Sequence, residues 1–496
     1  MTYLKIFILL FIVVNNVFGQ VPFNELDTNY TGEKLIVPSG MKYNIIFKEG
    51  EVVVSEKGRG RSKGNHDYTC FIPYKNSVTS GLMYISHETN DTSSIFGDGG
   101  GGTTFPLRLV DKVWTNVGPY RSIDFSTVGG TFNNCSGFYT SAGTILTSEE
   151  FPPSNNKELY KRGIGFRDTS DYKGMKRWEN MGWMVEVDPF NNKALHKNYN
   201  MGRFSHEGVL VLPDSMTVYL ADDYVPSVFF KFVSNKKNHF VNGQLYAFRQ
   251  YDTSSVGEWI ALPMHIDSLK NIRNIALRKG ASAFVRMEWM TMIGGKIYLT
   301  ETGSDNVIFN KNNIFNGKPA NHLERYRKPD NTIDYPHGAI LVFDDSLNSI
   351  KVHLAGGKGL LDNTKIFSNP DGITSVAFNE KKYLVINEDA IGINRGRVSP
   401  DAENKGKFIN EIWWLDLDIK NPKVEDLDRF VIGPSGAETT GGTFSPDGKT
   451  YFVNIQHPDI NNKPPFNRSF TVAITGFNAR LIRKRDRVPR PKPTHD

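Results

Sequence analysis

A recurring strand-turn-strand unit with polar ends constrains the fold of this chain most. The stretch HEGVLVLPDSMTVYLADD, from His206, has a His-Glu pair at its start, an Asp-Asp pair at its end and an apolar hairpin between them. The same plan recurs as CSGFYTSAGTILTSEE from Cys135, RMEWMTMIGGKIYLTETGSDN from Arg286, NPDGITSVAFNEKKYLVINEDA from Asn369 and GAETTGGTFSPDGKTYFVNIQHP from Gly436. Such repeats are typical of a β-propeller, in which the start of each inner strand faces a central channel. We therefore expect an all-β fold whose acidic strand ends converge on one axis.

Insertions must separate these units, because the units lie farther apart than the repeat of about 40 to 45 residues that is common in propellers. Two candidate insertions are Lys157 to Met184, rich in charged and aromatic residues, and Phe309 to Asp334, rich in Asn, Lys and Pro. Such segments form loops or short helices over one face of a domain. The sequence predicts a single β-propeller domain over residues 20–479, with loop and short-helix insertions.

The amino end has the pattern of a secretory signal. Lys5 precedes the apolar run Ile6 to Val14, and a small-residue exit ends at Gly19. A membrane anchor is the alternative, but the run is much shorter than the roughly 20 residues that span a bilayer. We expect residues 1–19 to be a signal peptide and the mature protein to be secreted or periplasmic, without stable membrane insertion.

The formal net charge of +6 originates at the carboxyl end. The segment Arg480 to Lys492 carries this whole excess of Lys and Arg, so the remainder of the chain is neutral. Residues 480–496 are expected to form a basic, Pro-containing tail that is solvated rather than bound to a partner. The composition gives no indication of nucleic acid binding, and we expect a monomer.

The chain has two cysteines, Cys70 and Cys135. In an oxidising compartment they allow one disulfide but not a disulfide scaffold, and the sequence leaves their pairing open. A fold of this size must therefore be held together by its core or by bound ions.

Carboxylates at the ends of the apolar strands are candidate metal ligands. They are Glu149, Glu150, Glu207, Asp222, Asp223, Glu288, Glu301, Asp371, Glu388, Asp389 and Glu438. Several carboxylates around one channel repel one another unless cations neutralise them. Oxygen ligands favour calcium or magnesium, and iron where a thiolate or imidazole joins them.

The alternative for an Asp beside a turn is that it shapes the turn, and we favour this interpretation for Asp214 and Asp447. Glu is a poor turn former and is costly to bury unpaired. Glu207, Glu288 and Glu438 are therefore predicted to bind metal.

Arg286 is the candidate phosphate-binding residue. It lies two residues before Glu288, which in a strand places both side chains on the same face. A guanidinium beside metal-bound carboxylates suits a phosphate, because its fork bonds two oxygens at once, although a structural ion pair is the alternative. Arg203 is a weaker candidate for substrate binding, and His206 is expected to support a metal ligand rather than bind the metal itself.

The chain lacks a Gly-x-Ser-x-Gly elbow, a His-Glu-x-x-His helix and a Cys-x-x-Cys pair. Metal-assisted chemistry is therefore the stronger catalytic option.

Several motifs together resemble the PhoX-type alkaline phosphatases. They are SHETN from Ser86, NCSG from Asn134, GRFSHEG from Gly202, VRMEWM from Val285, NPDGI from Asn369, GAETTGGTFSPDGKT from Gly436 and VNIQHP from Val453. The resemblance implies a six-bladed propeller secreted by bacteria, with calcium and ferric iron in the central channel, that hydrolyses phosphate monoesters. It also implies metal binding by Glu207, Glu288 and Glu438 and phosphate binding by Arg286.

One position departs from the family pattern, which has a Cys-Glu-Glu triplet whose thiolate bridges metals. This chain has Ser148, Glu149 and Glu150 there. A serine hydroxyl is not ionised at neutral pH and is a poor soft ligand, so iron is in doubt, whereas Glu149 and Glu150 are still expected to bind calcium.

The sequence thus predicts a secreted, calcium-dependent phosphoesterase acting on a small phosphorylated substrate, with Arg286 and Glu288 in catalytic roles. Two alternatives remain open at this point. One is a calcium-binding extracellular propeller without catalysis, which Ser148 favours. The other is a calcium-dependent ester or lactone hydrolase, which an acidic channel also permits.

Overall fold

A computed structural model describes residues 21–27, 32–91, 93–97, 99–162, 170–308, 317–362, 364–389, 397–398 and 408–477. The predicted signal peptide, residues 1–19, and the predicted basic tail, residues 480–496, lie outside these residues. Within the described residues, no helix is long and apolar enough to cross a membrane.

The described part of the chain is mainly β and contains six sheets of four or more strands, in which most neighbouring strands run antiparallel. From the inside outwards, the first contains His66–Pro73, Ser80–His87, Gly102–Val110, Tyr120–Ser122, Val52–Ser55 and Gly58–Arg61, with Val113–Asn116 paired to Gly102–Val110. The second contains Asn134–Tyr139, Ile145–Glu149, Met184–Asp188 and Lys193–Lys197. The third contains His206–Val211, Thr217–Asp222, Phe230–Ser234, Gly243–Gln250 and Gly257–Ala261.

The remaining large sheets follow the same plan. The fourth contains Met287–Ile293, Lys296–Glu301, Ala339–Asp344 and Ser349–Ala355. The fifth contains Pro370–Phe378, Lys381–Glu388, Glu411–Asp416 and Leu427–Ile432. The sixth contains Glu438–Phe444, Thr450–Gln456, Phe470–Thr475 and Lys42–Lys48.

Small elements connect these sheets. The two-stranded sheets pair Ser282–Ala283 with Lys318–Pro319, Ser304–Ile308 with Thr332–Tyr335, Gly357–Lys358 with Ile366–Phe367, and Arg397–Val398 with Phe408–Ile409. The α-helices are Asn156–Arg162, Ile266–Leu269 and Ile272–Arg278. The 3₁₀ helices are Tyr74–Asn76, Ser126–Val128, Arg177–Asn180, Tyr199–Met201, Asn321–Tyr326, Asp345–Leu347 and Val424–Asp426.

The first strands of the six large sheets, here called the inner strands, contact one another in a closed ring. Their order is His66–Pro73, Asn134–Tyr139, His206–Val211, Met287–Ile293, Pro370–Phe378 and Glu438–Phe444, and the last contacts the first. The ring is closed by pairing of Lys42–Lys48 with Phe470–Thr475, so one sheet joins the two ends of the described chain. This is a β-propeller arrangement, as the sequence predicts, while the blade count of six stays a prediction.

Local turn chemistry explains the hairpins of the inner strands. Asp214 accepts hydrogen bonds from the backbone of Met216 and Thr217, both at 2.8 Å, and so shapes its turn as expected. Gly294 and Gly295, at φ of 62° and 77°, form a two-residue loop, which needs left-handed backbone at both positions. These tight turns leave the opposite ends of the inner strands free to face the channel.

Aromatic side chains fill the space between neighbouring sheets. Phe452 of the sixth sheet is fully buried and packs against Phe71 and Trp114 of the first, at ring-centroid distances of 5.3 and 5.1 Å. The Trp114 indole N–H also donates to Thr450 Oγ1 at 2.8 Å across the same interface. Such rigid packing holds the sheets in fixed positions around the channel.

Candidate metal centre

Each inner strand presents a potential metal ligand at its start. These residues are Asp67, Cys135, Glu207, Glu288, Asp371 and Glu438. In four inner strands the pairing register shifts across the acidic residue, between His66 and Thr69, His206 and Val209, Met287 and Met290, and Pro370 and Ile373. A bulge of this kind turns a side chain out of the regular ladder. Here it accompanies the acids that gather at the channel.

The ends of the second strands supply further acids in adjacent pairs, and the two members of a pair have different surroundings. The carboxylates at the strand ends themselves bond to nearby basic side chains or backbone N–H groups and not to the channel acids. They are Glu149, Asp222, Glu301 and Glu388. A second acid comes directly after three of these strand ends, at Glu150, Asp223 and Asp389. Glu88 comes directly after the strand end at His87 in the same way. These followers interact with the acids of the inner strands.

Nine carboxylates therefore share one site, here called the carboxylate cluster. Its members are Asp67, Glu88, Glu150, Glu207, Asp223, Glu288, Asp371, Asp389 and Glu438. Glu88 and Asp389 are half-buried and the others are buried. A group this dense places like charges close together with little water between them.

Burial and mutual repulsion favour protonation of most of these acids. Burial, followed by the charge of Asp67, raises the pKa of Glu207 well above its usual value. Burial likewise raises the pKa of Asp389 to about 6, even though Arg286 and His457 oppose the shift. Asp223 is different, because the Arg286 guanidinium outweighs the effect of burial and lowers its pKa.

Three subsets of side chains are close enough to share a metal ion, with ligand atoms within 4.8 Å of one another. Glu207, Glu288 and Asp371 offer only oxygen, which suits a hard cation such as calcium. Asp67 and Glu207 combine with the Cys135 thiol, and Asp389 and Glu438 combine with the His457 imidazole. Sulfur or nitrogen beside carboxylates suits a transition metal.

The side chains fit bound cations for two reasons. In the described part of the chain, the ion pairs of the cluster involve Arg286 and His457, too little positive charge for nine carboxylates. In addition, Asp371 Oδ1 is buried and has no hydrogen-bond partner among the described residues. A buried carboxylate oxygen without a partner is costly, and a cation satisfies it.

Arg286 lies inside the cluster with its backbone fixed on both sides. Its N–H donates to Tyr224 O at 3.0 Å, its carbonyl accepts from Thr302 N at 2.9 Å, and its φ of 54° is strained for a non-glycine residue. Its Nε donates to Asp223 at 2.8 Å, and its Nη2 lies 3.1 Å from Glu288. No described residue holds Nη1, and the side chain remains 21% exposed. The guanidinium is thus oriented by acids at one edge and open at the other.

The structure brings Glu207, Glu288, Glu438 and Arg286 together in one site, as the sequence predicts for a common centre. Glu207 also accepts a hydrogen bond from the Trp289 indole at 2.8 Å, and Glu288 accepts one from Thr302 Oγ1 at 2.8 Å. These bonds fix the orientation of both carboxylates. The metal and substrate roles of the four residues stay predictions.

Glu149, also predicted to bind metal, is not among the residues that the structure brings together. Its carboxylate accepts from Lys197 Nζ at 2.7 Å, from Thr131 Oγ1 at 2.9 Å and from the backbone of Gly182 and Trp183 at 2.9 and 3.0 Å. Both oxygens are thus engaged inside the second sheet. The geometry favours a structural role, and it is Glu150 that joins the cluster.

Arg203, predicted to bind substrate, is held by backbone carbonyls instead of channel acids. Its guanidinium donates to Met181 O at 2.7 Å and to Trp178 O at 3.1 Å, and it stacks on the Trp178 ring. His206 lies directly before Glu207, and its Nε2 is 2.8 Å from Gly202 O. Burial lowers the pKa of His206 to about 3, so the ring is neutral and supports the strand start beside Glu207, which is consistent with the predicted supporting role.

The thiol of the site comes from Cys135, whereas Ser148 has another function. Ser148 Oγ donates to the backbone carbonyl of Glu207 at 2.7 Å, which ties two sheets together. Cys135 Sγ lies with Asp67 and Glu207, and both Cys135 and Cys70 are free and buried. The disulfide that the sequence allows is absent between these described residues. Cys135 therefore offers a thiol where Ser148 cannot, while iron binding stays a prediction.

Sequence reasoning missed Asp67 as a member of the site and did not assign Glu88 or Cys135 to it. A signal was available, because His66 and Asp67 open an inner strand as His206 and Glu207 do. The stretch from His66 to Glu88 is a further strand-turn-strand unit of the same plan as the five units that begin at Cys135, His206, Arg286, Asn369 and Gly436.

The fold and the clustered ligand atoms define the class of protein, a β-propeller with a candidate metal centre in its channel. The family model described as alkaline phosphatase PhoX matches residues 106–459, more than half of the chain. The chain therefore belongs to the PhoX alkaline phosphatase family. No curated protein matches it.

Among solved structures, the chain is similar to Pseudomonas fluorescens PhoX in complex with vanadate, a transition state analogue. The identity is 21%, the TM-score is 0.69, and the match covers 92% of this chain and 98% of that chain. A Dyadobacter fermentans protein of unknown function matches at 8% identity and TM-score 0.42, covering 89% of this chain and 100% of that chain. Trypanosoma rangeli sialidase in complex with sialic acid matches at 8% and 0.39, covering 89% and 60%. The first of these likenesses supports the propeller fold, and the other two are too distant to indicate function.

The substitution Glu149→Gln tests the structural role of Glu149. We expect it to lower the free energy of unfolding by about 3–5 kcal/mol, because it leaves the buried Lys197 ammonium without its charge partner. Thermal and urea unfolding measure this effect. Glu324→Gln, which removes an exposed ion pair with Arg327, is the control and should cost less than about 1 kcal/mol. Unchanged stability together with a lost metal ion would instead restore Glu149 as a ligand.

Proposed function

We propose that this protein is a metal-dependent phosphoric monoester hydrolase whose active site is the carboxylate cluster with Cys135 and Arg286. The observation that carries the proposal is a buried excess of carboxylates beside an arginine with an open edge, in a member of the PhoX family. Buried acids demand cations, and the arginine suits a phosphate. The same site thus supports both metal binding and substrate binding.

The ligand types support calcium at Glu207, Glu288 and Asp371, and iron at Asp67, Cys135 and Glu207. Burial, followed by the charge of Glu207, raises the pKa of the Cys135 thiol well above its usual value, so this thiol is neutral without a metal. When bound, the cations would neutralise the carboxylates and polarise the phosphoryl oxygens and the attacking water.

Arg286 is proposed to bind the phosphoryl group through its open edge. Asp223 holds the other edge by two hydrogen bonds, from Nε at 2.8 Å and from Nη2 at 3.2 Å, which orients the planar guanidinium. The Nη1 hydrogens are then available for a phosphoryl oxygen. Because the group is positioned before substrate arrives, it stabilises the growing charge of the transition state without reorganisation.

The rival proposal of a propeller without catalysis depended on the absence of a thiol at Ser148. The thiol of Cys135 beside Asp67 and Glu207 supports the catalytic proposal instead. Export of the protein, to the periplasm or the medium, remains a proposal from residues 1–19. A mature chain that begins near Gln20 would support it, and a chain that retains Met1 would contradict it.

The direct test is to purify the protein, determine its metals and assay phosphate monoester, phosphodiester and lactone hydrolysis before and after chelation. We expect bound calcium and iron, and monoester hydrolysis that chelation abolishes and metal addition restores. Absence of monoester turnover with calcium and iron supplied would reject the proposal. Turnover of the lactone alone would favour the esterase alternative.

The substitution Cys135→Ala tests the thiol ligand. We expect loss of iron and a fall in monoester hydrolysis of about 100-fold or more. This exceeds the roughly 10–100-fold effect of replacing a residue that only hydrogen-bonds to a metal ligand. Metal analysis and kcat measure the two effects.

Two control variants match this test. Cys70→Ala removes the other buried thiol, and Ser148→Ala removes the hydroxyl bonded to Glu207 O. Both should keep the iron content of the wild type. Iron retained in Cys135→Ala and lost in Ser148→Ala would contradict the assignment.

The substitution Arg286→Lys tests phosphate binding. A lysine keeps the charge but loses the fork, so we expect kcat/KM for monoesters to fall about 100-fold while the metal content is maintained. Steady-state kinetics measure the change. Arg249→Lys, in an exposed ion pair with Glu258, is the control. A kcat/KM within about threefold of wild type would show that Arg286 is only a structural partner of the acids.

A further inference from the structure

A cavity of about 640 Å³ is lined in part by residues that directly follow two members of the carboxylate cluster in the chain. Its lining includes Phe151, which directly follows Glu150, and Tyr224, which directly follows Asp223. Ser205 joins these two segments, since its Oγ accepts from Phe151 N at 3.0 Å and its carbonyl accepts from Asp223 N at 3.0 Å. The cavity is therefore built on the same strand ends that supply the cluster.

The basic groups of the cavity wall already have partners. Lys270 Nζ lies 3.0 Å from Glu179, and the Arg273 guanidinium bonds both oxygens of Asp222. Arg203 donates to backbone carbonyls, as described above. The lining contains three basic and three acidic side chains, so it has no net charge to attract an ionic group.

The wall exposes aromatic surface instead. Tyr224 is 50% exposed and Phe151 is 39% exposed, so both present aromatic surface to the cavity that they line. The Arg273 guanidinium stacks on the Tyr224 ring at 3.9 Å, which fixes the ring in place. A fixed aromatic ring at the edge of a cavity favours stacking with another planar ring.

The cavity is also linked to the proposed phosphate-binding group. The carbonyl of Tyr224 accepts the hydrogen bond from Arg286 N at 3.0 Å. One residue therefore contacts Arg286 through its backbone and lines the cavity with its side chain. This contact ties the position of the aromatic wall to that of the proposed phosphate-binding residue.

We propose that this cavity receives the leaving group of the substrate and favours an uncharged, planar aromatic alcohol. The inference rests on the proposed monoesterase function and adds the class of substrate. Tyr224 and Phe151 are the specificity residues, and the basic groups of the wall, which are already engaged, offer no partner to a leaving group that carries further negative charge.

The test compares kcat/KM for benzyl phosphate and ethyl phosphate, whose alcohols have similar acidity. We expect the wild type to prefer benzyl phosphate by about tenfold, and Tyr224→Ala to reduce this ratio about fivefold, the effect of one lost aromatic contact. Tyr224→Phe keeps the ring and should keep the preference. Phe151→Ala should reduce it independently, and it replaces Tyr224→Ala if that variant does not fold.

Tyr251→Ala is the matched control, because Tyr251 is 48% exposed and does not line the cavity. It should leave the ratio unchanged. Equal efficiency of the wild type on both esters, or an unchanged ratio in both Tyr224→Ala and Phe151→Ala, overturns this inference while the monoesterase function stands. Hydrolysis of neither ester by the metal-loaded wild type rejects the proposed function itself.

Discussion

Repulsion among nine carboxylates in one channel is the constraint on which the remainder of the structure depends. Burial removes the water that would screen these charges, and the nearby Arg286 and His457 offset only part of them. The folded protein must therefore either protonate its acids or bind cations. The aromatic packing between sheets, as around Phe452, holds the strand ends in place against this repulsion. Cations that bind the cluster would thus contribute to folding stability as well as to catalysis.

The alternation of side chains along a strand decides which acids are structural and which face the channel. Adjacent residues of a strand point to opposite sides. In Glu149-Glu150 and in Asp222-Asp223, the first carboxylate therefore pairs with a basic side chain outside the cluster, and the second joins the cluster. An acidic pair in the sequence reveals that a site is near. It does not reveal the register, and a shift of one residue exchanges the two roles.

The fold and the convergence of the acids were predictable, because hairpin periodicity and turn residues are local signals. The membership of the site was less so. Asp67 opens its unit without the Gly-rich or Glu-containing start of the other units, so the unit was not recognised. Cys135 and Ser148 lie on paired strands of one sheet, and only the three-dimensional register shows that the thiol faces Asp67 and Glu207 while the hydroxyl bonds to a backbone carbonyl.

The end of the strand Thr217–Asp222 shows how one short segment builds two functional surfaces. Asp223 orients Arg286 in the channel, and Asp222 orients Arg273 at the cavity, where the guanidinium packs on Tyr224. Three consecutive residues thus position the proposed phosphate-binding arginine on one side and an aromatic wall on the other. Because the three residues are consecutive, the proposed phosphate site and the proposed leaving-group cavity are held by one short segment at the end of a propeller strand.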